Sequence, residues 1–267
     1  RFYILALLTI LIAGCAPTRI VTVSSHAGPM NAYTTTVTIP KTHTQTTTAR
    51  VVATSEDISL YLDLQAVAAA FAQSATIEQF ENLLNDASYM LSNLDLNRDG
   101  YVDYLRVMET MEGRNHIFVI QAVLAPNVYQ DVATLVAEVN TVTTSYVQII
   151  GAPYIYGPNY IIEPVYYTRP LIFAHLVVTT YRPWRSPWYW NHFPAHYRHP
   201  KPLYVSHYQA YVETYMRNHR YCHEVRYVEV VHYTEYVKIT KYDSCNAYEV
   251  QHPEKAFSKS VATLRGI

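Results

Sequence analysis

The stretch LDLNRDGYVDYLRV, residues 94 to 107, sets Asp95, Asn97, Asp99 and Asp103 at the first, third, fifth and ninth positions of one loop. Calcium takes about six to eight hard oxygen ligands, and loops that bind it offer side chains at those positions and a backbone carbonyl at the seventh, here that of Tyr101. Gly100 permits the bend that turns the oxygens inward. Three carboxylates in one loop repel each other, and a divalent cation is one way to relieve that repulsion. Arg106 stands at the twelfth position, where a bidentate glutamate normally closes such a loop. An occupied site would therefore be weak, with a Kd in the extracellular range of about 10⁻⁴–10⁻³ M. The alternative is an Asx-type turn at Asn97-Arg98-Asp99-Gly100 whose acids are simply solvated. The spacing predicts a weak calcium site of structural role, formed by Asp95, Asn97, Asp99, Tyr101 and Asp103.

Two further groups of residues suggest chemistry. His192, His196 and His199 lie close enough in sequence to share a Zn²⁺ or Cu²⁺ ion, with His207, His219 and His223 nearby. That spacing suits a helix, which Pro194 and Pro200 oppose, so surface histidines are the plainer reading. The cluster Tyr181, Arg182, Trp184, Arg185, Trp188, Tyr189 and Trp190 suits sugar stacking, a lipid headgroup boundary or a protein partner, and equally a packed core. No G-x-S-x-G, H-E-x-x-H or C-x-x-C occurs, and only seven glycines are present to build a phosphate-cradling loop. No enzymatic activity is expected.

The elements that must position these groups are readable from period and caps. In DLQAVAAAF, Leu64, Val67, Ala68 and Phe71 recur at helical spacing behind Asp63 as N-cap. A second helix starts at Thr76, with Gln79 completing a capping box, an inner face of Ile77, Phe80 and Leu84, and a stop at Asn85-Asp86. Strands follow over 101–112, 115–125, 131–139 and 143–150, the first two joined by a hairpin turn at Glu112-Gly113-Arg114-Asn115. The run IFVIQAVLA is apolar on both faces, as a covered central strand would be. The fold class is α+β, two short helices packed on one face of an antiparallel meander. Beyond it, residues 151–221 hold thirteen of the twenty-six tyrosines, nine of the fourteen prolines and all three tryptophans. Prolines confine YRPWRSPWYWNHFPAHYRHPKP to edge strand or irregular chain. A helix is predicted over 203–220, on Tyr204, Tyr208, Tyr211 and Tyr215, and strand over 225–242.

Charge divides the chain in the same way, although the net charge is only −1. Residues 56–113 hold eleven Asp/Glu against two Arg/Lys, and residues 151–221 hold seven Arg/Lys against two Asp/Glu. The predicted organisation is a signal peptide at 1–14, a threonine-rich tether at 15–55, an α+β module at 56–150 and a Tyr/Pro/His-rich region at 151–267. The basic region is too dilute to argue for nucleic acid.

The opening RFYILALLTILIAGC has the shape of an export signal, too short to span a bilayer. Its Ile12-Ala13-Gly14-Cys15 resembles the lipobox of bacterial lipoproteins, which implies cleavage before Cys15 and fatty-acyl (palmitate) chains on it. Ala16 and Pro17 lack an inner-membrane retention aspartate, which in family terms implies an outer-membrane anchor facing the periplasm. Residues of about 57–190, on the phrases DLNRDGYVDYLRV, HIFVIQAVL, QDVATL and YGPNYI, resemble a group of uncharacterised envelope proteins of Bacteroidota, which implies an envelope location and no particular activity. Export implies an oxidising compartment, so Cys222 and Cys245 are expected to form a disulfide across a returning segment. The leading expectation is a non-enzymatic outer-membrane lipoprotein with a calcium-stabilised loop, meeting an envelope protein or glycan partner. Two others stand behind it: a periplasmic transition-metal or small-ligand binder using 181–223, and an envelope hydrolase. Mass spectrometry of the mature protein is expected to find an acylated Cys15 at its N-terminus, and Cys15→Ala to leave an unprocessed precursor. A mature N-terminus elsewhere, without acyl mass, contradicts the anchor.

Overall fold

The computed structural model describes residues 61–139, 146–178, 180–228 and 245–256. The signal peptide, Cys15, the tether and most of the strand expected over 225–242 lie outside the described residues. Helix α1, Leu64–Gln73, starts where Asp63 accepts the Gln65 amide at 2.7 Å. Nearly every side chain of LQAVAAAFAQ is buried, as in a helix surrounded by protein, and its alanines let neighbours approach closely. Helix α2, Ile77–Leu84, is capped as its sequence predicts: the Gln79 amide donates to Thr76 Oγ1 at 3.1 Å. The returning Gln79 carboxamide accepts from Ala75 rather than Thr76.

The strands are β1 Tyr104–Glu112, β2 Asn115–Ala125, β3 Val128–Glu138, β4 Tyr146–Gly151, β5 Ile161–Tyr166 and β6 Cys222–Tyr227. They form one antiparallel sheet in chain order. Glu112 pairs with Asn115 across a two-residue turn in which Gly113 takes a positive φ of 61°, the conformation required at its first position. Pro126-Asn127 makes the next turn, with Asn127 at φ 59°. The fold class is therefore α+β. The expected boundary at residue 150 falls inside β4, and the later region supplies β5 and β6 to the same sheet, so the charge division does not separate two folding units.

The Tyr/Pro-rich region also supplies α3 Pro153–Tyr156, α4 Ile172–Leu176, α5 Val205–Asn218 and α6 Ala247–Gln251. Helix α5 forms where tyrosine spacing predicts it, but Tyr208, Val212 and Tyr215 turn inward while Tyr204 and Tyr211 face solvent. The Tyr208 hydroxyl meets the Asp63 amide and the Leu91 carbonyl, and Tyr215 donates to Gln73, so α5 fastens both ends of α1. On the other face of β1–β3, Trp188, Trp190 and Phe193 cover Tyr104, Val123, Tyr129 and Tyr197.

The proline-rich stretch holds the free edge of β1. Glu109 donates its amide to Trp184 O at 2.8 Å, Ser186 donates to Val107 O at 3.1 Å, and Val102 donates to Pro200 O at 2.8 Å. This is edge pairing at the few positions that prolines leave available. Buried Glu81 of α2 locks the arrangement. Its Oε1 accepts Tyr104 Oη at 2.9 Å and Ser186 Oγ at 2.7 Å, and its Oε2 accepts Val107 N at 2.8 Å and Trp184 Nε1 at 3.0 Å. A second buried carboxylate, Glu109, accepts from His116 Nδ1 at 2.7 Å, Trp184 N at 2.8 Å and the Tyr181 hydroxyl.

Burial pushes the Glu81 carboxyl above its ordinary range, against the opposing pull of its four hydrogen bonds. Stranding the Val107 and Trp184 donors costs about 1–3 kcal/mol each, so Glu81→Ala is expected to lose roughly 3 kcal/mol or more by denaturant melting at unchanged m. Glu81→Gln loses less, since the Tyr104 and Ser186 hydroxyls can turn to accept from the new amide. The raised folded value means that the stabilising share of Glu81 is fully present below the unfolded carboxylate range and is lost as pH rises through the folded value. The stability of Glu81→Gln relative to the native chain is therefore expected to rise from pH ~5 to ~8. A gap that widens instead contradicts the assignment.

Candidate functional site

Residues 95–103 lie between α2 and β1, and their hydrogen bonds run inward. Asp95 accepts the Asp99 amide on Oδ1 at 3.0 Å and the Gly100 amide on Oδ2 at 3.1 Å. Asn97 Oδ1 accepts the same Asp99 amide at 3.0 Å, and Asp99 Oδ1 accepts the Tyr101 amide at 2.9 Å. Arg98 and Gly100 take positive φ angles of 61° and 85°, which reverses the chain tightly enough to bring these groups together. Asp103 closes the loop, accepting Leu96 N on Oδ2 at 2.7 Å while its own amide donates to Leu94 O at 2.7 Å.

Asp103 differs from the others in being buried, at 5 % exposure. Burial pushes its carboxyl well above the usual carboxylate range; the Leu96 amide opposes that, and the nearby charges of Asp95 and Asp99 add to it. Asp103 is thus the buried carboxyl of the loop, while Asp95 is half-buried and Asp99 exposed. Among the described residues no three His, Cys, Asp or Glu side chains converge closely enough to hold a metal ion as they stand, this loop included. The donor set nevertheless suits a hard cation: carboxylates from Asp95, Asp99 and Asp103, the amide oxygen of Asn97 and the Tyr101 carbonyl. Arg106 contributes nothing there. Its guanidinium lies 3.4 Å over the Tyr129 ring and its Nε donates to Gln121 at 2.9 Å.

The loop is also a joint. The Tyr197 hydroxyl donates to Val102 O at 2.6 Å, the Tyr248 hydroxyl to Leu96 O, and Asn97 Nδ2 to Leu124 O at 2.8 Å. A small pocket beside it, lined by Asn85, Met90, Leu91, Val102, Tyr197 and Pro200, has room for about 10 Å³, a single water rather than a substrate.

The structure scatters the other expected groups. His192 stacks on Tyr189 with ring centroids 4.8 Å apart, whereas His199 packs among Tyr101, Phe193 and Tyr197. His196 is exposed and is not gathered with them into a metal-holding group. The aromatic–arginine cluster divides in two: Tyr181 and Trp184 point inward to Glu109 and Glu81, while Arg182 and Tyr189 face solvent.

The expected Cys222–Cys245 bridge is corrected. Cys222 is a free thiol on β6, opposite Tyr166, whereas Cys245 is buried beside Asp131 of β3. Cys222 lies on the last strand of the sheet, whereas the Cys245 segment runs alongside Gln130 and Asp131 of β3, and the two sulfurs are not bonded to each other.

Glu81 and Glu109, the most heavily bonded buried acids, were not singled out from sequence. Glu81 follows Ile77 by four and precedes Leu84 by three, on the inner helical face, and Glu109 continues the inward alternation of Leu105 and Val107. An acid in an apolar row is the signal that marks both.

No protein-family model matches the chain, and no curated protein or solved structure matches it either.

Burial raises the Cys222 thiol to about 11. Maleimide labelling of the native protein near pH 8 is therefore expected to run at least roughly tenfold slower at Cys222 than at an exposed cysteine, and to speed up as pH rises. In denatured, unreduced protein Cys222 is expected to label fully. Full protection there contradicts the free thiol.

Proposed function

We propose that this protein is a non-enzymatic lipoprotein of the bacterial cell envelope, anchored through Cys15 and facing the periplasm. In this reading its acidic loop takes calcium as a structural brace, and its aromatic C-terminal surface meets an envelope partner. The observation that carries the calcium part is the placement of buried Asp103 beside Asp95 and Asp99, in the one loop that is tied to β2, to residues 197–200 and to Tyr248. A divalent cation bound by Asp95, Asn97, Asp99, Asp103 and the Tyr101 carbonyl would offset that repulsion and stiffen all three attachments together. The anchor rests on the Ile12–Cys15 lipobox.

A transition-metal site at His192, His196 and His199 ranks lower, because the His192 and His199 rings are packed against aromatic neighbours. A hydrolase ranks lower still. The buried acids Glu81 and Glu109 are each held by donors from the protein's own strands and covering segment.

Without the bidentate twelfth ligand, affinity is expected in the range of about 10⁻⁴–10⁻³ M. At calcium ten times Kd, a ligand specific to the folded state adds about 1.4 kcal/mol. The melting temperature is therefore expected to rise with millimolar calcium, and Asp95→Ala or Asp99→Ala to abolish the rise. Melting indifferent to calcium and chelator, with no heat of binding at millimolar levels, reduces the loop to an acidic turn.

A further inference from the structure

Val102 stands between two of the loop's cation donors, the Tyr101 carbonyl and Asp103, and both of its own backbone groups are held by the covering segment. Its N–H donates to Pro200 O at 2.8 Å, and its carbonyl accepts the Tyr197 hydroxyl at 2.6 Å. Peptide units are planar, and no cis bond occurs among the described residues. The Tyr101 carbonyl and the Val102 N–H belong to one such trans unit, so they point in opposite directions. Aiming the N–H at Pro200 therefore fixes the aim of the Tyr101 oxygen, away from the covering segment. The next unit joins the Val102 carbonyl to the Asp103 N–H, which donates to Leu94 O at 2.7 Å. That unit is held from both sides, and it carries Asp103.

The covering segment is itself firmly seated here. Tyr197 is buried, its ring centroid 5.1 Å from that of Tyr104, 5.3 Å from Phe193 and 4.5 Å from His199. His199 lies in the left-handed region at φ 45°, a conformation that persists only where the surroundings hold it. Within the loop one buried acceptor is left over. Asp103 Oδ2 takes the Leu96 amide, whereas its Oδ1 accepts no hydrogen bond among the described residues, although Asp103 is only 5 % exposed. A buried carboxylate oxygen without a donor is unfavourable, and a hard cation relieves it. We propose that Tyr197 and Pro200 are positioning residues for the calcium-type loop: docking of the covering segment on Val102 sets the Tyr101 carbonyl and Asp103 for cation binding, and a bound cation in turn holds the segment down. Binding and docking are linked, so each strengthens the other by the same factor. Neither Tyr197 nor Pro200 belongs to the donor set. This coupling rests on the calcium reading of the loop and adds to it the part of the chain that controls affinity.

The test uses the full chain. Calcium binding is measured by titration calorimetry for the parent, for Tyr197→Phe, which removes only the hydroxyl, and for Tyr215→Phe, which removes a hydroxyl bound to Gln73 at the end of α1. Tyr197→Phe is expected to bind calcium at least roughly fivefold more weakly, and Tyr215→Phe to bind it as the parent does. A second measurement needs no variant. Amide exchange followed by NMR is expected to slow at Val102 on adding saturating calcium, and by a larger factor than at Ser186, whose amide holds another part of the same segment on Val107 O. Equal weakening in both tyrosine variants overturns the proposal, as does slowing at Val102 no greater than at Ser186. A parent that takes up no calcium at millimolar levels overturns the calcium reading and this coupling together. A parent and a Tyr197→Phe variant that bind calcium equally overturn the coupling alone.

Discussion

The buried carboxylate of Glu81 is the point on which the tertiary arrangement turns. A charge taken from water without a counter-charge is tolerated only if its lone pairs are filled, and four donors fill them. Those donors come from β1 and from residues 184–186, so satisfying one acid on α2 fixes the helix, the sheet edge and the covering segment relative to each other. Glu109 repeats the device from the strand side, with Trp184 between the two acids. The 184–186 segment thus supplies donors to both buried acids.

Tyrosine does the comparable work elsewhere. Tyr156 donates to Leu62 O at 2.7 Å, Tyr154 to His252 O at 2.8 Å and Tyr197 to Val102 O at 2.6 Å. Each ring fills core volume while its hydroxyl reaches a carbonyl that regular structure leaves over. A chain with so many tyrosines and so few glycines can therefore tie irregular, proline-broken segments to a regular sheet without long runs of backbone pairing. The prolines between residues 183 and 200 are compatible with this because that segment runs along the β1 edge, where only a few ladder bonds are made.

The acidic loop adds the opposite kind of constraint. Its side chains satisfy their own backbone, as a tight turn demands, while the charges of Asp95 and Asp99 add to the burial that pushes the Asp103 carboxyl above its ordinary range. The loop also receives hydrogen bonds from Tyr197 and Tyr248, which come from distant parts of the chain.

What the sequence determined was local. The caps at Asp63 and Thr76, the two-residue turn at Gly113, the strands from 104 to 151 and helix α5 are each set by residues within a few positions of one another, and periodicity reports them. The loop's turn geometry was legible for the same reason, since Asx and glycine conformations are short-range. Tertiary structure alone decided that β5 and β6 join the meander, that Cys222 on β6 is a free thiol, and that Trp184 turns inward while Tyr189 turns out. It also decided the partners of Glu81, which lie 23 to 105 residues away. Burial of an acid is settled by which donors the folded chain brings to it, and no local pattern encodes donors that arrive from so far along the sequence.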